Sequence, residues 1–117
     1  MSKSIVLEKA SAFALRIVRL YKYLCEERRE FVLSKDCLMD GTRIGAHIKE
    51  AQQAGSRNGF HLNMSIALQK ASRTEYWLQL LHNAEFLEER EFLSINADCI
   101  ELQKMLTRIV KSTDENE

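Results

Sequence analysis

Apolar residues recur at three- and four-residue steps through most of the chain, the spacing that gathers side chains on one face of an α-helix. From about Ile5 to about Arg28 the stripe reads Val6, Ala10, Phe13, Ala14, Ile17, Tyr21 and Leu24. Lys9, Arg16, Arg19 and Lys22 fall on the opposite side, with Glu8 and Glu26 among them and Leu15 and Tyr23 interrupting the polar face. A second helix is predicted from about Ser34 to Ala54, its inward stripe being Cys37, Gly41, Ile44, Gly45, Ile48 and Ala51. Glycine costs about 1 kcal/mol relative to alanine inside a helix. Two glycines four apart on one stripe therefore point to close packing against another backbone at Gly41 and Gly45. A helix break near Asp40-Gly41 is the rival reading.

Gly55, Ser56, Asn58 and Gly59 are the clearest turn signal, and a third helix is predicted from about Phe60 to Phe86. It carries two apolar stripes. Phe60, Met64, Ala67, Leu68, Ala71 and Leu78 form one; Leu62, Ile66, Trp77, Leu80, Leu81 and Ala84 form the other. A helix apolar on two faces is packed on two sides, so Leu62, Ile66, Trp77 and Leu80 are candidate subunit-interface residues. Trp77, with Tyr76 beside it, is read as interface rather than core. The fourth helix starts after a short turn near Leu87-Glu88 and runs to about Lys111. Ile95, Cys99, Leu102, Leu106 and Ile109 give it a heptad seam, and Glu101, Lys104, Arg108 and Lys111 line its outside. Residues 112–117 read as a polar, acidic, frayed tail. Four helices with short connections predict an all-α, antiparallel up-down-up-down four-helix bundle, a single domain over residues 1–117.

Composition supports this. There is no proline among 117 residues and only four glycines, too little turn punctuation for a strand-rich fold. No apolar run approaches the roughly 18 residues a membrane span requires, and no secretory leader is evident; a cytoplasmic protein without a membrane partner is expected. Cys25, Cys37 and Cys99 are an odd number without metal-ligand spacing, and Cys37 and Cys99, at apolar-periodic positions, read as small buried hydrophobes.

Net charge is zero, yet residues 1–30 hold seven Lys/Arg against four Asp/Glu, whereas residues 87–117 hold four against eight. Neutrality argues against bulk electrostatic coating of nucleic acid. Lys9, Arg16, Arg19 and Lys22 remain candidate phosphate contacts, with a solvated helix face the preferred reading.

Catalytic chemistry is not evident. No Glu-x-x-His pair of the kind that holds metal in bundles occurs, and His47, His61 and His82 lie one per segment. Glu75 and His82 are seven apart on one helix side, as an acid/base pair could be, but a carboxylate bonded to a neighbouring helix explains Glu75 better. Nucleophile elbows, phosphate loops and dinucleotide fingerprints are missing. The chain reads as a non-enzyme with no metal, no cofactor and no small-molecule substrate.

The stretch Gly41-Thr42-Arg43-Ile44-Gly45-Ala46-His47-Ile48-Lys49-Glu50-Ala51 resembles the signature of the bacterial four helix bundle protein family, also called the intervening-sequence or S23 ribosomal protein family. Met64-Ser65-Ile66-Ala67-Leu68, Ala71-Ser72-Arg73-Thr74-Glu75 and Trp77-Leu78 resemble its second motif, and Ala97-Asp98-Cys99 with Glu101-Leu102 resembles its last helix. The resemblance spans nearly the whole chain. It implies an antiparallel four-helix protomer in a ring-shaped homopentamer, and no enzyme activity. For some members it implies an origin within 23S ribosomal RNA genes. A related branch, the accessory proteins of diversity-generating retroelements, is a basic pentamer that binds nucleic acid and a reverse transcriptase. Here Arg43 and His47 replace the family's Ser and Asn, and the charge balance is neutral. The partners expected are other copies of the chain, with nucleic acid or a nucleic-acid enzyme as the alternative.

Overall fold

The computed structural model describes residues 4–115. Four helices follow in order: α1 (Ile5–Glu26), α2 (Leu33–Gln53), α3 (Arg57–Asn83) and α4 (Glu89–Glu115). Each packs closely on the next in sequence, and α4 returns to α1 through a lighter contact that closes the bundle. The cross-helix contacts fix an antiparallel arrangement: Gly41 meets Ile17 while Gly45 meets Ala10, and His61 meets Asp114 while His82 meets Glu89. The fold is an all-α four-helix bundle. None of its described helices is long and apolar enough to cross a membrane.

The helix boundaries have local causes. Ser4 caps α1, its hydroxyl accepting from the Leu7 N–H at 3.2 Å. Ser56 caps α3 by accepting from Gly59 N–H at 3.0 Å, so α3 starts three residues earlier than the glycine cluster suggested. α1 ends at Glu26 and α3 at Asn83, short of the expected Arg28 and Phe86. Arg29 and Glu85 adopt left-handed backbone, φ 56° and 68°; Glu85 directly follows the Ala84 C-cap of α3, a position usually given to glycine, and Arg29 turns the chain two residues past the Glu27 C-cap of α1. Arg28 ties these turns together, donating to the carbonyls of Phe86 (2.9 Å) and Glu85 (2.8 Å) with its guanidinium over the Phe86 ring. At the far end α4 continues in helical form to Glu115, so the tail expected to fray from Ser112 is helical there; residues 116–117 lie outside the described residues.

The core is one cluster, drawn from the stripes read in sequence: Phe13 and Ile17 of α1, Ile44 and Ile48 of α2, Met64 and Leu78 of α3, Leu102 and Leu106 of α4. Leu81 belongs to it as well, fully buried, and Ala84 is the exposed C-cap of α3; neither sits on the outer stripe to which they were assigned. α2 is continuous through Asp40-Gly41, which removes the helix-break reading.

Candidate interaction surfaces

Gly41 is buried where α2 crosses α1. A methyl there would sit 2.9 and 3.0 Å from the γ carbons of Ile17, inside contact distance, whereas a methyl at Gly45 would lie 3.7 Å from the Ala10 β carbon, an ordinary separation. The close approach is therefore made at Gly41.

The cationic row of α1 is divided by its neighbour. Lys9 pairs with Glu101 of α4 at 3.3 Å. Arg16 donates to Asp98 at 2.8 Å and to the Ser94 hydroxyl at 3.0 Å. Arg19 and Lys22 are exposed. Arg19 stands on the rim of a groove of about 450 Å³ between α1 and α4, with an apolar floor of Leu20, Leu87 and Ile95 and with Glu88 and Glu91 on the opposite rim. Half of the row thus meets carboxylates that are distant in sequence.

On α3 the outer stripe is graded. Leu62 is 59% exposed and Tyr76 56%, whereas Ile66, Trp77 and Leu80 are half-buried. Trp77 is anchored by a group the sequence reading did not single out. Asp40, only 4% exposed, accepts from the Trp77 indole N–H at 2.7 Å and from Arg73 Nε at 3.0 Å, with Lys70 Nζ at 3.9 Å. Tyr76 packs edge-on against Trp77 at a centroid distance of 5.3 Å. A buried carboxylate is costly without partners; these donors supply them, and in return they fix the Trp77 ring.

The titratable groups are dispersed. Glu75 accepts from Gln103 of α4 at 2.8 Å, while His82 stacks on Phe92 at 4.4 Å and approaches Glu89, so Glu75 and His82 have separate partners. His47 contacts Asn63 and Glu50, and Arg43 is exposed. Among the described residues no three His, Cys, Asp or Glu converge as metal ligands. Burial, and then the proximity of other acidic groups, pushes the Cys37 and Cys99 thiols up to about 12. At neutral pH both are protonated and poor nucleophiles.

No curated protein matches this chain. Among solved structures, a protein with unknown function from the S23 ribosomal protein family, from Bacteroides thetaiotaomicron VPI-5482, is 48% identical. It superposes with a TM-score of 0.90 over 92% of this chain and 96% of its own. The model of the 23S rRNA-intervening sequence proteins matches residues 2–108. The chain belongs to the family of 23S rRNA-intervening sequence proteins.

Proposed function

We propose that this chain works as a homo-oligomer, a ring of helical bundles acting in the cytoplasm as an interaction scaffold and not as a catalyst. The carrying observation is the outer stripe of α3. Leu62 is more than half exposed beside half-buried Ile66 near one end of α3, and Tyr76 is more than half exposed beside half-buried Trp77 and Leu80 further along it, and exposed apolar groups on a helix face mark an interface. Trp, Tyr and Arg are the residue types that dominate binding energy at interfaces, and Asp40 holds Trp77 and Arg73 ready in place. A ring of five is the assembly the family resemblance favours.

The alternative, nucleic-acid contact through α1, has less support. Lys9 and Arg16 are already neutralised by Glu101 and Asp98, which leaves Arg19 and Lys22.

Light scattering coupled to size exclusion tests the oligomer. The parent is expected at several times its 13.6 kDa protomer mass. Leu62→Glu combined with Tyr76→Glu is expected to lower the mass while leaving helicity intact. A parent that elutes as a monomer at micromolar concentration ends the proposal.

A further inference from the structure

The helices pack in a square, each on its neighbour in sequence and α4 on α1, so the α1–α4 groove and the α2–α3 face lie on opposite sides of the protomer. They also stand at the same height along it. Arg16 of the groove precedes Ile17, which meets Gly41 of α2, and Asp40, next to Gly41, accepts from Trp77 on the far face. The groove has an apolar floor of Leu20, Leu87 and Ile95, with Tyr23 exposed beside it. Most of its charge is unspent. Arg16 is paired with Asp98, but among the described residues Arg19, Glu88 and Glu91, all exposed, are in no ion pair. On the opposite side α3 presents Tyr76 and Trp77 together with Arg73, whose side chain stays 58% exposed while it bonds to Asp40.

We infer that the occupant of the α1–α4 groove is the α3 face of a second copy of this chain, with Trp77 and Tyr76 over the apolar floor and Arg73 against Glu88 and Glu91. This rests on assembly through the outer side of α3 and names the surface which that side meets. A patch that meets its own copy makes a two-fold contact and stops at a dimer, whereas a ring needs two different patches on each protomer. Charge selects between the two arrangements. Packing α3 on α3 would bring Arg73 and Lys70 onto their own copies, and nearby Asp40 is already shared among Trp77, Arg73 and Lys70. The one acidic residue of α3, Glu75, is bonded to Gln103 of α4. In the groove the same cations find two unpaired carboxylates, and the Tyr76 ring offers its face to Arg19. Opposite charges across a contact fix its register, and like charges oppose it. Aromatic and arginine side chains seated in a pocket are the groups that dominate such contacts. Patches at equal height on opposite sides let the rods stand side by side, each presenting α3 to the groove of the next.

The test mixes two variants of the full chain and reads their mass by light scattering after size exclusion. Leu62→Glu with Tyr76→Glu disables the α3 face and leaves the groove intact. Tyr23→Arg with Glu88→Arg and Glu91→Arg disables the groove and leaves α3 intact. Each alone is expected at the 13.6 kDa protomer mass, with the helicity of the parent. Mixed one to one, they are expected to form a dimer of twice that mass and nothing larger, because the intact groove of one receives the intact α3 face of the other and both remaining patches are disabled. That dimer would also show that both variants are folded. Glu91→Arg alone, a milder change, is expected to shift assembly to higher protein concentration. A groove variant that keeps the parent mass overturns the inference while leaving assembly through α3 in place. Two monomeric variants that stay apart when mixed overturn it as well. A parent that is itself a monomer removes the inference together with the reading it rests on.

Discussion

The carboxylate of Glu30 accepts from the backbone N–H groups of Val32, Leu33 and Ser34 at 3.2, 3.0 and 2.7 Å, and the Ser34 hydroxyl donates back to the Glu30 carbonyl. The boundary residue Val32 offers no side-chain cap, so Glu30 satisfies the first orphan donors of α2 from two residues upstream. Burial alone would raise its pKa; the hydrogen bonds from Leu33, Ser34 and Val32 outweigh this and hold it below the ordinary 4.5. A carboxylate depressed in the folded state contributes stability fully above its unfolded value and loses it as pH falls through the folded one. Glu30→Gln, with a single acceptor oxygen for three donors, is expected to cost about 1–2 kcal/mol at neutral pH. Urea melts should show the gap between parent and variant narrowing below about pH 4.5. A gap that stays constant into acid would mean that the charge of Glu30 contributes nothing.

Between elements, the tightest approach is the α1–α2 crossing. Gly41→Ala gains about 1 kcal/mol of helix propensity but presses a methyl against the branched carbons of Ile17, and overpacking of this kind costs about 1–3 kcal/mol. The net expectation is destabilisation by about 1 kcal/mol. Gly45→Ala meets only an ordinary contact with Ala10 and should stabilise by up to about 1 kcal/mol. Urea midpoints that move in opposite directions would bear this out; a raised midpoint for Gly41→Ala would show that α1 yields freely at Ile17.

These elements were legible where one helix decides its own structure. The seam Ile95, Cys99, Leu102, Leu106 and Ile109 is apolar at helical spacing; the first four are buried, and Ile109 is partly buried against the core. The helix ends were less so. The cap at Ser56 lay inside a glycine cluster that resembles a turn, and the turns at Arg29 and Glu85 fall on residues with no preference for left-handed backbone. Partners far apart in sequence were out of reach of any periodicity. Asp40 and Trp77 are 37 positions apart, Arg16 and Asp98 82. A row of lysines and arginines on one helix therefore reads as free charge until the acidic residues of another helix are set against it.

At the scale of the whole molecule, the protomer is a rod of about 46 × 24 × 20 Å, closely packed from α1 through α4 and lightly closed between α4 and α1. A chain of this length builds a single core, and the net stability of such a domain is only about 5–15 kcal/mol. Leaving Leu62 and Tyr76 more than half exposed forfeits apolar burial that a second copy would supply. If assembly covers that stripe, folding and association are linked, and the folded state gains from mass action. For a ring of five, each tenfold rise in protein concentration then adds about 1 kcal/mol of stability per protomer. For a domain of this size that raises the melting temperature by about 4 °C. Circular dichroism melts over two decades of concentration would measure it, and Leu62→Glu with Tyr76→Glu should flatten the dependence. A parent whose melting temperature stays the same across that range would mean that its stability belongs to the protomer alone, and that the α3 stripe adds nothing to it by association.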